Sequence, residues 1–196
     1  MAMTLSRRLL GAGAAFAAAA CLAAAADHGV LADADRRAFE AVRARRGPAA
    51  TCVARAVSAL AEPEVAYPVL AVAGVYAARR DGWWRACEPC LVVAAGAVAR
   101  RRMSQVIARP RPPEDAWLIE PEGFSLPSKH TTLATLTAGA TVRALGVRGV
   151  PAACAPLLAA AGIGASRVCL GVHWPADVAA GYLFAAGWLH LTSSGA

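Results

Sequence analysis

SRVCLGVHWPAD, Ser166 to Asp177, sets a serine, an arginine and a histidine between the apolar runs Val150 to Ala165 and Ala176 to Leu191, and an aspartate at the start of the second. If both runs are helices, this stretch is their connection, and all four polar groups share one end of a hairpin. Pro175 suits the first position of the second helix, because its ring fixes φ and it has no N–H to leave unpaired. His173 then stands just outside the helix and Asp177 lies in its first turn, close enough to orient the imidazole. Ser166 and Arg167 could hold an oxyanion that His173 attacks. An ordinary connection would accept almost any hydrophilic residues, so the rest of the chain decides between loop and site.

The chain has 196 residues, enough for one domain with a sizeable core, and 58% of them are hydrophobic, more than a water-soluble domain carries. The composition predicts a membrane protein. Its net charge of +7 does not indicate nucleic acid, since the arginines are scattered between apolar runs and form no stripe with interleaved aromatics. Of the 20 basic residues, Lys129 is the single lysine. The six cysteines lie mostly inside apolar runs and behave as small hydrophobes, and Cys87 and Cys90 form a CxxC with no second pair for zinc and no βαβ pattern for a redox site.

Six apolar runs organise the chain: Leu9 to Ala26, Val65 to Ala78, Ala86 to Ala99, Thr131 to Leu145, Val150 to Ala165 and Ala176 to Leu191. The first follows a basic flank and precedes Asp27 as a secretory signal would. Its length matches a bilayer crossing, and we read it as a retained span. The expectation is an all-α, six-span transmembrane bundle. Residues 1–26 form the first span, residues 27–62 an extracytoplasmic or interfacial helical connection, and residues 63–192 a core with five further spans. Within the connection, Asp33 to Arg46 is a charged helical stretch and Ala49 to Leu60 carries apolar residues at helical spacing. A cytoplasmic N-terminus puts Arg7, Arg8, Arg79, Arg80, Arg85, Arg143 and Arg148 on one side, as the positive-inside rule requires. Trp83 and Trp84 then suit the headgroup region.

Three polar clusters return to the opposite side. In RRRMSQVIARPRPP, Arg100 to Pro113, residues Arg102 and Arg109 are seven apart, which is two turns if the helix continues, so both guanidiniums would share one face and converge on an anion. Taken alone, the stretch could equally be a helix end meeting lipid headgroups. In GFSLPSKHTTL, Gly123 to Leu133, Ser128 is a natural N-cap, the free N–H groups of the first turn form an anion site, and His130 lies beside it. The third cluster is the opening stretch. A metal on His173 and Asp177 is the competing reading, but the neighbouring arginines and lysine oppose a cation.

The ordered set R-x6-RP, PSKH and SR-x5-H-x3-D resembles the type 2 phosphatidic acid phosphatase superfamily, whose signature is K-x6-RP, PSGH and SR-x5-H-x3-D. The resemblance implies a membrane lipid phosphatase that needs no cofactor or metal. In it His173 attacks phosphorus, Asp177 orients His173, and His130 protonates the leaving oxygen. Arg102, Arg109, Ser128 and Arg167 hold the phosphoryl oxygens. It also implies a lipid phosphate substrate in the bilayer, such as a polyprenyl phosphate or diphosphate or phosphatidic acid, met at the extracytoplasmic surface of the cell membrane. Two departures stand out. Arg102 replaces the family's lysine, and Lys129 replaces the glycine of PSGH, where its ammonium could join the phosphate cage or point into solvent. The same cage could alternatively hold vanadate in a haloperoxidase, or bind a lipid phosphate without turnover.

Overall fold

The computed structural model describes residues 2–26 and 29–193. The junction at Asp27, where the first boundary was expected, and the side chain of Arg7 lie outside the described residues. The described residues form α1 (Ala2–Ala25), α2 (Gly29–Arg45), α3 (Pro48–Ala59), α4 (Pro63–Asp81), α5 (Glu88–Ile107), α6 (Lys129–Ala144), α7 (Val150–Cys169) and α8 (Pro175–Leu191), with short 3-10 turns at Trp83–Arg85 and Glu114–Ala116. No strand occurs among them. Each apolar run falls on a helix. Proline in the first turn starts α3, α4, α5, α7 and α8, where its missing N–H costs nothing.

Helix α8 is the hub, packed against α1, α6 and α7, while α4 and α5 flank α6 and α3 lies on α7. Small residues let the backbones approach closely. A Cβ on Gly164 would sit 2.1 Å from Val178 Cγ1, and one on Gly139 would sit 2.3 Å from Leu189 Cδ1. The interior is built from Leu70, Val93, Leu136, Ala140 and Ala185. Much of the outside is apolar too, with Leu10 and Val72 each 72% exposed and Leu158 69% exposed. Buried ions inside and aliphatic side chains outside suit a hydrocarbon surround.

By length and composition two helical segments can cross a membrane, Arg8–Ala25 and Val150–Cys169. They become three if α3 and α4, bent by 46° at their break, count as one span. The expected count of six is therefore not reached on these criteria, and the reason lies in the helices themselves. With 16 residues α6 rises about 24 Å, α8 has 17 residues, and α5 carries three consecutive arginines, Arg100 to Arg102, within its second half.

The two ends of the bundle differ. At one end Arg8 Nη1 donates to Ser193 O, Arg143 to Leu189 O and Thr192 O, and Arg80 to Leu145 O. There guanidiniums satisfy the carbonyls of helix C-termini, around a cavity of about 470 Å³ that Arg85 and Arg148 also line. The second end gathers the start of α4, the end of α5, the start of α6, the end of α7 and the start of α8. All three polar clusters of the sequence meet here.

Candidate active site

Asp177 is the pivot. As the third residue of α8 it accepts at Oδ2 from the N–H of Trp174, the residue that caps the helix, at 2.8 Å. The same oxygen takes the hydroxyl of Ser125 and lies 3.3 Å from His173 Nδ1. Its other oxygen accepts from Arg109 Nη1 at 2.7 Å. The carboxylate is fully buried, and every bond it makes fixes its plane.

His173 is 1% exposed and stands between a group that can only accept and one that can only donate. Asp177 faces Nδ1, and Arg111 Nη1 lies 3.3 Å from Nε2. A carboxylate partner requires a proton on Nδ1 and a guanidinium partner requires a lone pair on Nε2, so the tautomer is set. Nε2 keeps its lone pair, directed at Arg111. Burial, reinforced by the positive charge of Arg111 and opposed by Asp177, pushes the His173 pKa down to about 4. The ring is therefore neutral at physiological pH.

Arg111 is the arginine that the sequence reading missed. Its guanidinium donates to the carbonyls of Glu122, Gly123, Phe124 and Val172, which pins it between the α5–α6 connection and the His173 stretch. Burial pushes its pKa below the ordinary arginine value. Arg100 reaches in from the last turns of α5, donating to Pro127 O at 2.9 Å, immediately before Ser128. Arg100 and Arg111 repel one another, as do Arg111 and Arg167. Three like charges held this close are the mark of an anion site.

The expected phosphate ligands divide. Ser128 caps α6 as foreseen, accepting from the N–H and hydroxyl of Thr131, and Arg167 is buried with Nη1 on Ser58 Oγ at 2.7 Å. His130 is buried in the first turn of α6, its Nε2 3.0 Å from Glu62 Oε1. Arg102, in contrast, is exposed. Arg109 faces Asp177 and Asp35 and not the arginine cluster. Lys129 points outward, 3.5 Å from Glu122 Oε2. Ser166 donates back to Ile163 O and takes no part.

The reason for the shift at 102 and 109 is local. Helix α5 stops at Ile107, and Ala108 turns left-handed at φ 51° and ψ 33°, so Arg109 is no longer in phase with Arg102 and seven residues no longer mean one face. The RP dipeptide also occurs twice in RPRP, at Arg109 and at Arg111. Reading the motif from Arg111 puts Ser104, which is buried, at its first position. Arg100 lies one turn before Ser104 and supplies a charge that position lacks. This tandem dipeptide was the signal for Arg111. Glu62, Asp35 and Ser58 carried no signal, since they are remote in sequence and sit in the connection that reads as interfacial.

Arg109 anchors the whole end. It bridges Asp177 and Asp35, 2.7 and 2.9 Å away, and donates to Ala26 O at 2.9 Å. Asp35 in turn accepts from the N–H of Ala176 at 2.8 Å. The three charged side chains are almost wholly buried. Among the described residues no group of three or more His, Cys, Asp or Glu is placed to hold a metal ion, and the six cysteines are unpaired.

A helical bundle with an apolar exterior, bringing an oriented neutral imidazole and several buried arginines to one end, has the architecture of a membrane enzyme acting on phosphate esters. The chain belongs to the PAP2 superfamily, whose family model matches residues 85–195. It is 35% identical over 133 residues to the decaprenylphosphoryl-5-phosphoribose phosphatase of Mycolicibacterium smegmatis, covering 65% of this chain and 69% of that one. The protein of the same name in Mycobacterium tuberculosis is 34% identical over 139 residues, covering 68% and 73%. The transmembrane PAP2-type phosphatidylglycerolphosphate phosphatase of Bacillus subtilis superposes with a TM-score of 0.79 over 92% of both chains at 25% identity.

Proposed function

We propose that the protein is an integral membrane phosphatase that removes the terminal phosphate of a lipid phosphate through a phosphohistidine on His173. The observation that carries this reading is the pair of contacts on His173, with Asp177 at Nδ1 and Arg111 at Nε2. When phosphate enters, Arg111 transfers its N–H bond to a phosphoryl oxygen and Nε2 is released to attack phosphorus. The new N–P bond forms as the P–O bond to the lipid breaks, and the leaving oxygen takes a proton from His130. Water then attacks the phosphohistidine, returning the proton to His130 and freeing phosphate.

Arg100, Arg111, Arg167 and the N-terminus of α6 would share the charge on the phosphoryl oxygens. Phosphoryl transfer asks mainly for positioning and charge stabilisation, and this cage can supply both without a metal. A covalent intermediate divides the reaction into two easier displacements. The relatives act on phosphate carried by a polyprenyl-linked sugar and by a phospholipid, which supports a substrate whose tail stays in the bilayer while its phosphate enters the cage. The arginine collar at the end of the bundle remote from His173 supports a site on the extracytoplasmic face of a six-span protein.

The test is phosphate release in detergent from decaprenylphosphoryl-5-phosphoribose, phosphatidylglycerolphosphate, a polyprenyl monophosphate and a polyprenyl diphosphate, each with and without chelator. Release by the wild type that survives EDTA and disappears in His173→Ala supports the reading. Absence of release from every substrate, or activity lost to EDTA, contradicts it.

A further inference from the structure

Glu62 is the last residue before α4 and occupies its N-cap, with extended backbone at φ −78° and ψ 149° and Pro63 behind it. A carboxylate at an N-cap ordinarily accepts from the N–H groups of the first turn. Here the side chain makes no capping bond; the backbone carbonyl of Glu62 takes the N–H groups of Val65 and Ala66. The carboxylate instead crosses to α6 and meets His130 Nε2 at 3.0 Å, a contact that spans 68 residues of chain. Glu62 lies at the break between α3 and α4, which meet at 46°.

His130 is thereby held at one nitrogen, while its Nδ1 is buried without a hydrogen-bond partner in the protein. Arg167 Nε is likewise buried and unpartnered. Glu62 and His130 are both acted on by the charges of Lys129 and Arg167. Burial and that field both disfavour a proton on His130, and the Glu62 carboxylate at 3.0 Å is the group that opposes them.

We infer that Glu62 is a positioning residue for the leaving-group proton: it binds the Nε2–H of His130, so that Nδ1 is the atom that delivers the proton to the departing lipid oxygen. This rests on the phosphatase reading above. In the first displacement the imidazolium loses the Nδ1 proton to the alkoxide oxygen as the P–O bond breaks, leaving neutral His130 still bonded to Glu62. In the second, Nδ1 takes a proton from the attacking water.

The experiment compares two substrates in Glu62→Gln and in Glu62→Asp. An alkyl phosphate needs its leaving oxygen protonated, whereas p-nitrophenyl phosphate departs as a stable phenolate. General acid help is worth roughly 10²- to 10⁴-fold, so Glu62→Gln should lower kcat for the alkyl ester at least about 10-fold and change kcat for the aryl ester less than about threefold. Glu62→Asp should recover part of the alkyl activity, and Glu62→Gln combined with His130→Ala should be no worse than His130→Ala alone. An equal loss on both substrates, or no loss on either, overturns the inference while leaving the phosphatase reading intact. A wild type inactive on both overturns the two together. A thermal melt of each variant in detergent separates misfolding from a chemical effect, and Glu62→Gln should melt with the wild type.

Discussion

Asp35 and Arg109 are 74 residues apart in sequence and 2.9 Å apart in space, and through Arg109 the aspartate of α2 is joined to Asp177 and thence to His173. A connection that reads as an interfacial segment is thus part of the frame that holds His173. Burial pushes the Asp35 carboxyl above its ordinary pKa, with the Arg109 bond opposing. Such a triad contributes orientation more than stability, but removing one member strands the others.

Arg109→Ala leaves two carboxylates buried beside each other without their cation. Breaking a buried pair costs about 3–5 kcal/mol, so the variant should unfold at much lower denaturant in detergent and lose activity. Asp35→Ala in the Arg109→Ala background should add much less than it does alone, because the two act as one unit. Additive losses would show that Asp35 and Arg109 act separately.

The arginines near the motif should separate sharply. Arg102 is exposed, and Arg102→Ala should keep kcat/KM within about twofold. Arg111→Ala removes a preorganised donor at the nucleophile and should cost about 10²- to 10³-fold, the size of one oxyanion-hole donor. Arg100→Ala should fall between them, acting more through KM. Steady-state kinetics on one lipid phosphate gives all three values, and a severe loss in Arg102→Ala would contradict the geometry.

Lys129 tests the departure at the PSKH motif. Its ammonium meets Glu122 and its side chain is 42% exposed, so Lys129→Ala should lower turnover only a few-fold. Were Lys129 the missing cage cation, the loss would match that of Arg111→Ala.

The pH dependence follows from His173, whose pKa falls from 6.5 to about 4. Between these values the unfolded chain takes up a proton that the native chain refuses. Stability should therefore fall as pH drops from 6.5 towards 4 and show no contribution from this group above 6.5. By the same shift, the acid limb of kcat/KM for an aryl phosphate, corrected for substrate ionisation, should lie near pH 4. A limb near 6.5 would mean that the ring is solvated.

The site was legible where its geometry is local. Ser128 as a cap depends only on the residues that follow it, and the His173–Asp177 pair depends only on Pro175 starting a helix one turn away. The arginines required a helix to stay in phase, and one left-handed residue at Ala108 broke that phase. Glu62, Asp35 and Ser58 reach the site through the packing of α2, α3 and the bend into α4, which no nearby residue announces. The fold was legible as six apolar runs on helices, whereas counting spans was not, because α6 and α8 are shorter than a full crossing and α5 carries three arginines.

The central claim is that phosphorus becomes bonded to His173. Rapid quenching into alkali during turnover of a lipid phosphate labelled at its terminal phosphate, followed by mapping of the label, measures this directly. The account predicts a burst of label on residue 173 that is stable in alkali, released by acid and absent from His173→Ala. Turnover with no labelled protein at any quench time, or label on another residue, would contradict it.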